Sequence, residues 1–71
     1  MKTLKNGMIV IAPKGCKRWL TAGKEYIVSS VSEMGQYSFI IQNDDMEFSF
    51  CLLKKCKHLN GKNWIIKTQN L

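Results

Sequence analysis

The chain is short of acid. Five Asp and Glu residues stand against eleven Lys and Arg, a formal net charge of +6 over 71 residues. A positive field on so small a body attracts polyanions or acidic protein surfaces, although many small proteins are simply soluble and basic. Histidine occurs once, as His58, and no Ser or Cys stands in a nucleophile setting with a partnering base. The usual parts of general acid–base and nucleophilic catalysis are missing, so the expectation is a protein that is not an enzyme. Long apolar runs are missing as well. Met8 to Ala12 is cut off by Pro13-Lys14-Gly15, too short for the core of a signal peptide. No stretch approaches the roughly 18–20 apolar residues of a membrane span, so a cytoplasmic protein without membrane contact is expected. Cysteine is present as Cys16, Cys51 and Cys56. An odd number without a secretory signal argues against a disulfide framework, and reduced, partly buried thiols are expected.

What is there reads as one domain, residues 1–71, of all-β character. A chain of this length buries only about 60% of its unfolded surface, which leaves few core positions for polar sites. Short apolar runs alternate with turns, and no window shows a helical period. Met8 to Ala12 predicts a first strand and Lys14 to Gly23 a loop. Lys24 to Ser32 predicts a second strand with Tyr26 and Val28 on one face, and a bulge at Ser29-Ser30 would return Val31 to the core. Glu33 to Gln36 predicts a hairpin turn, Tyr37 to Gln42 a third strand, and Asn43 to Met46 a turn of residues that bond their own backbone. Glu47 to Cys51 predicts a fourth strand, with Phe48 and Phe50 on one face and Glu47 and Ser49 on the other. A helical or 3₁₀ turn is expected near 52–56. Asn60-Gly61 signals a last hairpin leading into Asn63 to Lys67, and the final residues are expected to fray. Five or six strands in so short a chain suit a small, strongly bent barrel.

Gly7-Met8-Ile9-Val10, then Leu20-Thr21-Ala22-Gly23-Lys24-Glu25-Tyr26-Ile27-Val28, then Tyr37 to Ile41 followed by Asn43-Asp44-Asp45-Met46-Glu47 resembles a group of small SH3-like barrel proteins of bacteria, prophages and phages. The pattern is roughly L-T-x-G-K-x-Y-x-V, an aromatic strand, then N-D-x-G-E. It covers residues 7 to about 53. The resemblance implies an SH3-like β-barrel and says little about function, since most such proteins are uncharacterised. Met46 stands where that pattern has Gly, and residues 54–71 form a C-terminal extension, expected to pack on the barrel. The residues also have a reading of their own. Leu20 closes the loop onto the core, Thr21 tightens the turn through its hydroxyl, Gly23 permits a left-handed reversal, and Tyr26 leaves its hydroxyl at the rim.

Two basic clusters are the candidate binding residues. Lys14, Lys17 and Arg18 flank Cys16 and precede Trp19; Lys54, Lys55 and Lys57 surround the approach to His58, with Lys62 and Lys67 beyond. Lys and Arg would neutralise phosphates, and an indole face could stack on a base. The plainer readings are that Trp19 caps the core and that the lysines form a solvated face. Glu33, Asp44, Asp45 and Glu47 sit on or beside hairpin turns; if those turns lie at one pole and the basic segments at another, the molecule has one cationic face. Cys16, Cys51, Cys56 and His58 have poor spacing for a structural zinc site, so no metal is expected, and no small-molecule cofactor is implied. Asp44 and Asp45 are expected to be solvated and lack the spacing of a calcium loop. Ile9, Ile11, Ile27, Ile40 and one of Trp64 or Ile65 cannot all be inside. Either the C-terminal hairpin covers them, the favoured expectation, or an exposed patch forms a protein or homodimer interface. The partners expected are therefore nucleic acid or an acidic protein surface, with a homodimer as the third option.

Overall fold

The computed structural model describes residues 4–31 and 38–67. It is all-β, with six strands in two antiparallel three-stranded sheets. β1 (Ile9–Ile11) lies between β2 (Glu25–Ile27) and β6 (Ile65–Ile66). β4 (Ser38–Gln42) lies between β3 (Ser30–Val31) and β5 (Phe48–Leu52). Among the described residues no ladder closes the two sheets into one continuous barrel. The hairpin turn expected at Glu33–Gln36, Tyr37 and the C-terminal tail lie outside the described residues.

The long second strand expected from the sequence is two strands. The break falls at Val28-Ser29, one residue before the expected bulge at Ser29-Ser30. There the chain changes sheets: the Val28 N–H donates to the Met8 carbonyl, and the Ser29 N–H donates to the Ile40 carbonyl. Tyr26 and Val28 face the interior, Ile27 faces out, and Val31 packs against the core after the crossing.

Trp64 joins the sheets. Its ring meets Tyr26 edge-on at 5.8 Å and Phe39 edge-on at 5.8 Å. Val10, Val28, Ile41, Cys51 and Leu59 complete a fully buried centre, and Leu20 closes one end. The C-terminal segment contributes β6 to the first sheet by pairing with β1. It adds at the sheet edge and does not cover the outer face as expected: with Trp64 turned inward, the alternation along a strand turns Ile65 outward, and Ile27 stays exposed too.

The helical turn is displaced from its expected place at 52–56. Leu52 is still in β5, opposite Ser38. Lys55 then adopts φ 53° and Cys56 is extended, so a 3₁₀ turn forms only at Lys57–Leu59. Asn60 and Gly61 follow with φ of 54° and 85°, the two left-handed residues that a tight hairpin turn requires. Their reversal brings Cys56 opposite Lys62.

At the turn between β4 and β5, Met46 has φ 66°. The Met46 N–H donates to the Asn43 carbonyl, and the Asn43 N–H donates to the Glu47 carbonyl. This is a hairpin turn that ends on a left-handed residue, a place suited to glycine. Met46 is 76% exposed, so its side chain contributes little to offset the strain. Met46→Gly exchanges about 1–2 kcal/mol of left-handed strain for about 0.5–1 kcal/mol of added chain entropy. The variant should melt a few degrees above the parent, since 1 kcal/mol corresponds to about 4–8 °C in a domain of this size. Differential scanning calorimetry checks this, and a lowered midpoint would contradict it.

Candidate functional site

The two basic clusters, about forty residues apart in sequence, meet in space. The Lys17 N–H donates to the His58 carbonyl at 2.9 Å. The Asn60 amide donates to the Gly15 carbonyl at 2.5 Å, and the Lys62 ammonium to the Lys14 carbonyl at 2.8 Å. The loop carrying Lys14, Lys17 and Arg18 is thereby docked on the 3₁₀ turn carrying Lys57. Lys54 and Lys55 lie on the approach to that turn, where the Lys55 N–H donates to the Asn63 side chain at 3.0 Å. All six cations are exposed.

Trp19 belongs to both readings. Its ring is half-buried and packs against the core. Its indole N–H donates to Nδ1 of His58 at 3.0 Å, with the rings edge-on at 5.7 Å. An indole nitrogen only donates, so Nδ1 must be the acceptor and the imidazole carries its hydrogen on Nε2. Nε2 then donates to the Phe50 carbonyl at 3.1 Å. His58 is thus held by Trp19 on one side and by the edge of β5 on the other.

One acid borders this surface: the Asp44 N–H donates to the Trp19 carbonyl at 2.9 Å. Asp44 is not a solvated turn residue as expected: it receives the Thr21 hydroxyl at 2.7 Å, the Tyr26 hydroxyl at 3.0 Å and the Lys24 ammonium at 2.7 Å. These donors, Lys24 first, hold its carboxyl below the ordinary value. Burial, first among several causes, pushes the Tyr26 hydroxyl up. The Thr21 hydroxyl therefore ties two loops together; the Thr21 N–H donates to the Tyr26 oxygen at 2.7 Å. Glu25 pairs with Lys67 at 2.7 Å, which removes Lys67 from the uncompensated basic cluster in which its sequence position placed it. Neither of these two ion pairs involves Lys14, Lys17, Arg18, Lys55 or Lys57.

Phe48 and Phe50 are the residues that sequence reasoning passed over. They stand on the outer face of β5, 70% and 57% exposed, while Ser49 and Cys51 turn inward. The alternation was visible in sequence, but not which face was inner. The structure supplies the reason: Phe39, Tyr26 and Trp64 already fill the core, and the Asn43 amide donates to the Ser49 hydroxyl at 2.9 Å, satisfying it where it is buried.

Cys51 and Cys56 adjoin in the core. The Cys51 thiol donates to the Ser49 carbonyl at 3.6 Å. The neighbouring Cys56 sulfur, with burial added, pushes the Cys51 thiol up, while the Cys51 thiol draws Cys56 down to about 5. Among the described residues no three His, Cys, Asp or Glu side chains converge as a metal-ligand set, and no helix is long and apolar enough to cross a membrane.

These features define a small all-β protein with a joined basic surface and an uncovered aromatic strand beside it. Comparison of the chain with protein-family models, with curated proteins and with solved structures gives no match.

Proposed function

We propose that the chain is a non-enzymatic cytoplasmic binding module that contacts nucleic acid, or a nucleoprotein complex, through the surface of Lys14, Lys17, Arg18, Trp19, Lys54, Lys55 and Lys57. The observation that carries the reading is the docking of the two basic segments on each other, joined at Lys17–His58 and Lys14–Lys62. Binding would proceed by phosphate neutralisation and counterion release, with limited sequence readout. The scaffold we infer is an SH3-like barrel of the kind found in small bacterial and phage proteins. Its support is that the L-T-x-G-K-x-Y and N-D segments of that pattern meet around the Asp44 carboxylate.

Retention on immobilised DNA or RNA should fall steeply with salt. The Lys17→Glu/Arg18→Glu variant should bind roughly tenfold or more weakly, with a salt slope reduced by about 2. No retention of the parent at low ionic strength would remove the proposal. A protein-binding module, an inhibitor of a host protein or a homodimer is the second reading, supported by the exposed apolar residues of β5. A single protein captured equally well after nuclease treatment would favour it.

A further inference from the structure

We propose that the outer face of β4 and β5 is a platform for single-stranded nucleic acid, on which Phe48 and Phe50 stack unpaired bases while the adjoining lysines hold phosphates. The inference rests on the polyanion reading above and adds the ligand class to it.

Two phenyl rings project side by side from one strand into water. Each has about 150–250 Å² to cover, and small proteins seldom keep such a patch without using it. Ile40 lies opposite Phe50 and Gln42 opposite Phe48 in the neighbouring strand. The rings therefore rise from a sheet surface, where a planar partner can lie against them.

The spacing selects the ligand. Alternate residues of a strand are about 6.6–6.8 Å apart, whereas stacked bases follow one another at about 3.4 Å. Successive bases can meet both rings only if they have separated to about twice their stacked distance. A single strand does this readily; in a duplex the base faces are covered by their neighbours.

Charge points the same way. A groove of about 290 Å³ beside the second ring is lined by Phe50, Leu52, Cys56, Lys57 and His58. It sets a lysine next to an apolar floor, and the Lys17–His58 hydrogen bond makes it continuous with the basic loop. Asp45 and Glu47 precede Phe48 at the other end of the strand, so a phosphate chain is drawn toward residues 54–57. The edge of β5 is also closed at its centre, because the Phe50 carbonyl is taken by His58. That disfavours an added strand from a protein partner and leaves the face as the binding element.

Fluorescence anisotropy with labelled oligo-dT, oligo-rU and a DNA duplex of equal length tests this. Oligo-dT or oligo-rU should bind at least tenfold more tightly than the duplex at the same salt. Phe48→Ala/Phe50→Ala should lose at least tenfold in single-strand affinity, within the range that base–aromatic stacking supplies, while duplex affinity and the salt slope stay as in the parent. Phe48→Tyr/Phe50→Tyr should restore binding. The rings are exposed, so a thermal melt should show both variants folded. Unchanged single-strand affinity in the alanine variant, or equal affinity for single strand and duplex, overturns the inference and leaves the polyanion reading standing. No binding of any of the three at low salt overturns both. Loss of a dimer on alanine substitution, without loss of oligo-dT binding, makes a second copy the occupant and overturns the inference.

Discussion

Trp64→Ala is expected to remove about 3–5 kcal/mol of stability, the range for deleting a buried Trp or Phe side chain. A domain of this length holds roughly 4–11 kcal/mol in all, at about 0.05–0.15 kcal/mol per residue. The variant should therefore lose from about a quarter to all of that stability. Trp64 carries so much because it touches both sheets, through Tyr26 on β2 and Phe39 on β4. No described ladder joins those sheets; beyond the chain crossing at Val28-Ser29 and the Trp64 N–H donating to the Leu53 carbonyl, their association rests on side-chain packing, in which this ring takes part from both sides. Trp64→Phe separates packing from polarity. The indole N–H faces the Cys56 sulfur and has no hydrogen bond of ordinary length. Phenylalanine keeps an edge-on ring and removes that poorly satisfied donor, so its cost should be about 1–2 kcal/mol, toward the lower end for a core volume change. Urea unfolding followed by far-ultraviolet circular dichroism checks both. A midpoint for Trp64→Ala close to the parent's would mean that the sheets are held by something else.

Trp64 also marks a boundary of what the sequence made legible. The all-β character, the Asn60-Gly61 reversal and the inward faces of Tyr26 and Val28 follow from alternation and turn chemistry, which are local. The inward turn of Trp64 is not local. Asn63 to Lys67 is apolar on both faces, and the choice between Trp64 and Ile65 is made by the space between the sheets. The same holds for β5. Phe-Ser-Phe-Cys alternates without saying which face is inner; the core is already full of rings, and the strand turns its small residues inward. The helical turn moved for a further reason: one left-handed residue, Lys55, delays it to Lys57, and nothing in a lysine announces positive φ.

The basic residues were legible as two separate clusters; their union was not. It depends on hydrogen bonds between backbone and side-chain atoms some forty residues apart, Lys17 to His58 and Asn60 to Gly15. Hydropathy and charge patterning register none of these. The lone histidine had little meaning in sequence except as a poor metal ligand. In the fold its two ring nitrogens bridge Trp19 and Phe50, so the residue that links the cationic loop to the aromatic strand is neither cationic nor apolar.

Asp44→Ala should cost about 2–3 kcal/mol, because it removes charge-assisted hydrogen bonds and leaves the buried Tyr26 hydroxyl without its acceptor. Asp44→Asn, which retains one acceptor oxygen, should cost about 1 kcal/mol. The pH dependence identifies the cause. The Asp44 carboxyl is held below its ordinary 3.8 by Lys24, Thr21 and Tyr26. Its contribution is therefore fully present above about pH 4 and is lost as pH falls through the depressed folded-state value. The Lys24 ammonium is raised above 10.5, chiefly by its hydrogen bond to Asp44. Its contribution is present below that value and is lost as pH rises beyond it. The parent should thus lose stability from this cluster on both flanks, with a plateau between. Asp44→Ala should be less stable across the plateau and should converge on the parent in acid, where the parent's own carboxyl is protonated. Unfolding midpoints measured from pH 2 to pH 7 decide the matter. A constant gap between variant and parent down to pH 2 would mean that the carboxylate's charge is not what joins the turn after β4 to the loop before β2.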